Sequence, residues 1–322
     1  MKPLVLIPQH FGSLVFDRRN SRYLPFDQEC TRLLRQSAHS PADPALAEPL
    51  HSLGFWTLDG YFDGEILTID TPSGHLAGPL AVHLEVTASC NLTCTHCFAG
   101  QLPRKEPALS LAELDRLFAQ LAALGSFRLG LTGGEPLLRK DLLEILDCAT
   151  GHGLHPCLTT NALLLNETMA RELGRRRLVW LNVSLEGAHA ESNDPVRGSG
   201  TWERVREKVE LLRRHARFTM AFTINSQNAG EIAECAQLAR DWGASTAVFR
   251  PLYPAGSALD HLELMPSYDQ YSQALGSLRG DLNVLDPFTP ASRHQLAGRT
   301  YSGPGCGAAN LVCSVSLGGD VN

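Results

Sequence analysis

From residue 81 onward, short apolar runs alternate with amphipathic stretches, and that alternation restricts the fold more than any other feature of the chain. The runs are 81-AVHLEVT, 128-RLGLTGG, 155-HPCLTTN, 178-LVWLNVSLEG, 218-FTMAFTINS and 245-STAVFRPLY. Each has the length and apolar content that a parallel sheet buried on both faces requires. Between them, 109-LSLAELDRLFAQLAALG, 139-RKDLLEILDCATGHG, 166-NETMARELGRRR, 201-TWERVREKVELLRRHA and 229-AGEIAECAQLARDWG have helical spacing. Ser110 three residues before Glu113 makes a capping-box pattern, and Gly125 and Gly243 stand just past the last turn of their helices. Six β/α units in succession predict a parallel barrel or an open doubly wound sheet. Either architecture gathers ligands at the carboxyl ends of the strands, so the chemistry is expected just after each run.

Residues 1–75 carry a different pattern. Three strand-like pieces, 3-PLVLIPQ, 13-SLVFDRR and 22-RYLPFD, are separated by turn residues such as Asn20 and Ser21. Two helical stretches follow, 27-DQECTRLLRQSA and 43-DPALAEPLHSLGF, then 57-TLDGYFDGEIL, and 71-TPSGHLAGP reads as a linker. A small separate domain of three strands and a helical unit is predicted, followed by the repeat over 76–260. Residues 261–322 hold one more helical stretch, 266-PSYDQYSQALGSLRG, and a Gly- and Cys-bearing end, 301-YSGPGCGAANLVCSVSLGGDVN. A chain that stops inside such a stretch is expected to be cut short.

Composition narrows the function classes. With 28 Lys+Arg against 34 Asp+Glu, the net charge of −6 argues against a nucleic-acid binder that works by neutralising phosphates. No apolar run approaches the roughly 18–20 residues of a membrane span. The start, MKPLVLIPQHFG, lacks the layout of a secretory signal. Nine cysteines without such a signal point to a reducing cytoplasm and to metal or redox use.

Three of those cysteines, Cys90, Cys94 and Cys97 in 90-CNLTCTHC, fall in one loop directly after the first strand of the repeat. Thiolates so spaced can converge on a soft metal centre, and three leave one position of a four-ligand site open. The alternatives are a zinc site completed by His96, which its neighbour Cys97 makes geometrically poor, and buried thiols without metal. Cys30, Cys148, Cys157 and Cys235 lie in predicted helices or strands and read as core.

CxxxCxxC after the first strand of a βα repeat resembles the radical S-adenosylmethionine (SAM) superfamily. The resemblance implies a partial (β/α)6 barrel over about 81–255 in an α/β chain. It also implies that Cys90, Cys94 and Cys97 are the catalytic set, holding three irons of a [4Fe–4S] cluster whose fourth iron chelates SAM. His96 stands where the family usually has an aromatic residue near the adenine. Gly133, Gly134, Glu135 and Pro136, ending the second strand, resemble the family's GGEP element, which binds the SAM amino group. Glycine suits such a place because backbone must approach closely in conformations closed to other residues. Asn161 after the third strand, Ser184 and Glu186 after the fourth, Asn225 and Asn228 after the fifth, and Arg250 at the sixth are expected around SAM. The stretch 194-DPVRG resembles an Asp…Arg-Gly segment of peptide-modifying members, with a solvated Asp–Arg pair as the plain alternative.

The two ends resemble further parts of that family. Cys306 followed by Gly318 or Gly319 is similar to the opening of a SPASM/twitch extension, implying that Cys306 ligates an auxiliary [4Fe–4S] cluster and that the extension is incomplete here. Residues 4–70 resemble the winged-helix-like RiPP recognition element, the fold of the pyrroloquinoline-quinone peptide chaperone, where a leader peptide adds as a strand to a sheet edge. A structural cap on the barrel is the alternative. Together these imply a cytoplasmic enzyme that modifies a ribosomally made precursor peptide, with SAM and a [4Fe–4S] cluster as cofactors and a flavodoxin or ferredoxin as electron donor. A maturase of a folded protein, an enzyme acting on a small molecule, and a non-catalytic peptide binder are the rival readings.

Overall fold

The computed structural model describes residues 1–42, 50, 53–100, 107–278, 283–285 and 311–322. The N-terminal part begins with an antiparallel meander of β1 (Leu4–Gln9), β2 (Gly12–Asp17) and β3 (Arg22–Asp27). Asp27 then caps α1 (Gln28–Gln36) by accepting from the Cys30 amide. A short β4 (Gly64–Ile66) returns parallel to β1, giving the order β3-β2-β1-β4. Three strands and a helix match the sequence pattern, and β4 is an addition to it. The second helical stretch, from residue 43, falls largely outside the described residues.

The repeat folds as read. Its strands are β5 (Ala81–Thr87), β6 (Arg128–Gly133), β7 (His155–Thr160), β8 (Leu181–Ser184), β9 (Thr219–Ile224) and β10 (Thr246–Pro251). The helices are α2 (Leu111–Ala123), α3 (Leu142–Gly151), α4 (Glu167–Arg175), α5 (Ala190–Arg197), α6 (Thr201–Leu212), α7 (Ile232–Asp241) and α8 (Tyr268–Ser277). The Ser110–Glu113 capping box is formed, and Gly125 and Gly243 take φ of +75° and +82°. α5 is the helix that the sequence hides, because Pro195 lies within it and Gly198 ends it. Two further strands, β11 (Asn283–Leu285) and β12 (Val312–Val315), join the same sheet in the order β11-β10-β9-β8-β7-β6-β5-β12, every neighbouring pair parallel. The sheet therefore exceeds the six strands expected.

The expectation that both faces are apolar is corrected by the alternation along each strand. Val82, Leu84, Val86, Leu129, Leu131, Leu158, Val183, Phe222 and Phe249 are buried in one large core with the apolar residues of the helices. The opposite residues, His83, Glu85, Thr132, Cys157, Thr159, Ser184, Thr223 and Arg250, are polar and less buried. Charge at Arg250 on β10 is felt by His83 on β5. Five inter-strand steps of about 4.8 Å would hold these residues some 24 Å apart in a flat sheet. The sheet is therefore curled, with helices outside and a polar lumen inside.

The N-terminal sheet docks at the amino ends of β6 and β7, opposite the loops where chemistry is expected. Tyr23 Oη donates to the Gly125 carbonyl (2.9 Å) and accepts from the Phe127 amide (2.6 Å). Phe16 stacks on Phe127 at 4.8 Å, Arg128 Nε donates to the Ser21 carbonyl at 2.7 Å, and Ser21 Oγ meets His155 Nδ1 at 2.7 Å. Burial, helped by the charges of Arg18 and Arg128, lowers His155 from 6.5 to about 4. Between those values the unfolded chain holds a proton that the native state does not, so stability falls as pH is lowered through that window. The slope of the denaturation midpoint between about pH 6.5 and about pH 4 should be shallower in His155→Asn than in the wild type. Equal slopes would remove His155 as its source.

Candidate active site

The loops after β5, β6, β7 and β8 meet at the carboxyl end of the sheet. The cysteine loop is fastened to its neighbours largely through main chain. Gly134 N donates to the Thr87 carbonyl (2.7 Å) and Glu135 N to the Ser89 carbonyl (2.8 Å). Thr95 N donates to Val196 O at the end of α5 (3.0 Å), and Ser257 N to Cys97 O (2.9 Å). A Cβ on Gly134 would lie 2.1 Å from the Ser89 oxygen, and one on Gly133, whose φ is +127°, 2.3 Å from the Thr87 oxygen. Glycine is thus demanded at both positions by the approach of the cysteine loop itself.

Cys94 and Cys97 are half-buried and Cys90 is exposed. Cys90, Cys94 and Cys97 lie near enough to influence one another electrostatically. Among the described residues, the groups whose ligand atoms all lie within 4.8 Å of one another are elsewhere, so these thiols are spread wider than the ligands of one ion. A thiol set suits zinc and iron–sulfur centres alike, and it is the spread that fits the larger iron–sulfur cluster better than a single zinc ion.

His96, which the alternative zinc reading needs as a ligand and the resemblance places near the adenine, is engaged with protein groups. Its Nε2 is 3.0 Å from Glu186 Oε1, which also accepts from Arg197 Nη1 at 2.9 Å, while Glu186 Oε2 accepts from the Thr223 amide at 2.7 Å. Glu186 is 2% and Arg197 7% exposed. Burial alone would push the Glu186 carboxyl up, but His96 and Arg197 beside it bring it below the usual range. The segment 194-DPVRG therefore does not hold a solvated ion pair. Arg197 turns inward to Glu186, and Asp194 accepts from the Gly200 and Trp202 amides at the start of α6.

Glu135 is likewise turned inward. It is 1% exposed and accepts from Thr160 Oγ1 (2.6 Å), Asn161 N (2.7 Å) and Leu137 N (3.0 Å). Burial raises its carboxyl against those bonds. Asn161 Nδ2 reaches Asn91 Oδ1 at 2.8 Å, tying the end of β7 to the cysteine loop. Pro136, also buried, opens the short helical turn over Pro136–Leu138. Ser184 ends β8 on the lumen side. Asn225 is fully buried, its Oδ1 accepting from Gln227 N and Asn228 N, and Asn228 Nδ2 donates to the Glu186 carbonyl. Both asparagines thus brace the turn after β9.

Arg250 points into the lumen. Burial lowers its guanidinium from the ordinary range, and its Nε has no hydrogen-bond partner. A half-buried cation with an unpartnered Nε suits an anionic ligand such as a carboxylate. Thr160, Asn91 and Gly256 are not among the expected site residues, and Arg197 is expected only as part of 194-DPVRG. A Cβ on Gly256 would sit 2.3 Å from the carbonyl oxygens of Cys97 and Phe98, so it seals the loop from the β10 side. Cys306 lies outside the described residues.

Comparison with known proteins agrees with this geometry. Residues 84–239 match the model of the radical SAM superfamily. Mycofactocin maturase MftC of Mycolicibacterium smegmatis is 32% identical over 253 residues, covering 76% of this chain and 64% of that protein. For MftC of Mycobacterium ulcerans the figures are 32% over 258 residues, 76% and 68%. The AdoMet-dependent heme synthase of Methanosarcina barkeri is 35% identical over 193 residues, 59% of this chain and 55% of that one. In fold, the chain is similar to Streptococcus suis SuiB bound to its precursor peptide SuiA, with a TM-score of 0.73 at 14% identity over 100% of this chain and 82% of that one. The chain thus spans about two thirds or less of the length of these curated relatives. With the cysteine loop, the Gly-Gly-Glu-Pro turn and the curled parallel sheet all present, the chain belongs to the radical SAM superfamily.

Proposed function

We propose that this protein is a radical SAM enzyme that modifies a ribosomally made precursor peptide, with Cys90, Cys94 and Cys97 holding the cluster. A cluster held by these three thiolates would supply the one-electron reduction of SAM that opens radical hydrogen abstraction from the substrate. The chain's own part is positioning. Gly133 and Gly134 bring a backbone edge against the cysteine loop, where it can meet the SAM ammonium. Glu135 and Glu186 fix the loops, while Ser184 and Arg250 line the lumen, Arg250 meeting a carboxylate. The resemblance of residues 306–319 to a SPASM/twitch region extends this reading to an auxiliary cluster held by Cys306, and the cysteine usage extends it to a cytoplasmic setting with a flavodoxin or ferredoxin donor. Among the described residues no helix is long and apolar enough to cross a membrane.

The observation that carries the peptide reading is the N-terminal sheet, whose two edge strands, β3 and β4, each offer an edge to which a leader peptide can add as a strand. That sheet sits at the opposite end of the strands from the cysteine loop. Six residues of β6 span roughly 20 Å, so a leader docked there needs at least about six extended residues before the modified position. Co-expression with a candidate precursor, followed by mass spectrometry, tests both points. A mass change that disappears when the leader-to-core spacer is shortened below that length is the expected result. A precursor left unchanged in mass and in stereochemistry would count against the reading. Similarity to a heme synthase favours a small-molecule substrate as the second reading, and an N-terminal domain that binds no peptide would select it.

A further inference from the structure

On the outer, helical side of the sheet, three metal-ligating side chains from two helices converge. Asp115 on α2, Cys148 on α3 and His152, which caps α3, each bring one ligand atom within 4.8 Å of the others. Cys148 and His152 are four residues apart, so a single helical turn places thiol and imidazole on one face. Across the α2–α3 contact, Asp115 Oδ1 accepts from Cys148 Sγ at 3.3 Å and from His152 Nε2 at 2.8 Å. Two donors thus point their protons at one carboxylate oxygen, the place where a divalent cation can replace both contacts. A sulfur, nitrogen and carboxylate set selects zinc over the hard cations magnesium and calcium. The other convergent group, His189, Glu231 and Glu234, has no sulfur donor and is mostly exposed.

We propose that Asp115, Cys148 and His152 form a zinc site, completed by water, that clamps α2 to α3. Binding sends the Cys148 thiol proton to solvent. His152 presents the Nε2 lone pair with its proton on Nδ1, Asp115 binds as the carboxylate, and no electron is transferred. The clamp has a structural consequence for the reaction site. α2 leads into β6, and α3 follows the Gly133–Pro136 turn that leaves it, so the two helices bracket the strand that carries that turn.

The test counts zinc per chain, after dialysis, in iron-reconstituted protein and in the Cys90→Ala/Cys94→Ala/Cys97→Ala triple variant, which removes the loop as a competing zinc ligand. One equivalent is expected in both, lost on adding Cys148→Ser or His152→Ala, with far-ultraviolet dichroism and the iron content of the reconstituted protein unchanged. Cobalt added to the triple variant should give a thiolate charge-transfer band that Cys148→Ser abolishes. His152→Ala should weaken cobalt binding by more than about tenfold, the scale set even by a lost second-shell partner. Zinc retention that is the same with and without Cys148 and His152, or no retained zinc in the triple variant, would overturn the proposal.

Discussion

Alanine at any one of Cys90, Cys94 or Cys97 is expected to reduce SAM-dependent formation of 5′-deoxyadenosine to the background of enzyme-free controls. The reason lies in how the loop is held. A three-thiol set has no spare ligand, and the loop cannot shift to recruit one. It is pinned by Gly134 and Glu135 on one side, by Asn161 through Asn91, and by Val196 and Ser257 on the others. His96, the nearest alternative ligand in sequence, has its Nε2 committed to Glu186. The measurement is anaerobic product formation by the reduced, reconstituted protein, with iron content measured in parallel. Serine at Cys157, Cys235 or Cys313 should leave iron bound, because those thiols sit on β7, α7 and β12, away from the loop. Retained turnover in one of the three alanine variants would remove that residue from the ligand set.

The strands, most of the helices and the loop positions of the site could be read from the sequence, because a period of two and a period of 3.6 leave distinct marks. The direction in which the acids point could not. Glu135 and Glu186 follow strands, as ligand-binding acids do, yet both spend their oxygens on the protein: Glu135 on Thr160 and Asn161, Glu186 on His96, Arg197 and Thr223. Their partners are 11 to 90 residues distant in sequence, so no local pattern announces them. Arg197 stands in the singled-out 194-DPVRG, but its direction is hidden for the related reason that Pro195 and Gly198 make the segment look like a loop, when it is the last turn of a helix aimed inward. The polar lumen is hard to read because each run is short and mixes small residues such as Gly, Ala and Thr with its apolar ones, so the alternation of polar and apolar positions is easily overlooked. β12 was missed because four residues after a stretch without helical spacing carry too little pattern to be assigned. Cys30 and Cys148 are half-buried, unlike Cys235, and Cys148 packs only at the edge of the core.

The largest stability effect is expected at Arg197. Replacing it with Met keeps most of the side-chain volume but leaves Glu186 buried with only His96 to offset its charge. Removing one partner of a buried pair typically costs about 3–5 kcal/mol, far more than the intact pair contributes over an apolar substitute. For a chain of this size that corresponds to a fall in Tm on the order of 10 °C. Glu186→Gln alone should cost less, since an amide oxygen still accepts from the Thr223 amide. Combining the two changes removes both charges, so the double variant should be less destabilised than the sum of the singles by about 1–3 kcal/mol. Urea unfolding of the four proteins measures that coupling, and additivity within about 0.5 kcal/mol would show that the pair does not act as one unit. A second readout separates a local role from a general one. Val196, beside Arg197, accepts from Thr95 in the cysteine loop, so loosening the end of α5 should speed iron loss from Arg197→Met under a chelator. A comparably destabilising change far from α5, such as Leu34→Ala in the N-terminal core, should leave that rate unchanged, which ties any acceleration to the loop and not to global stability.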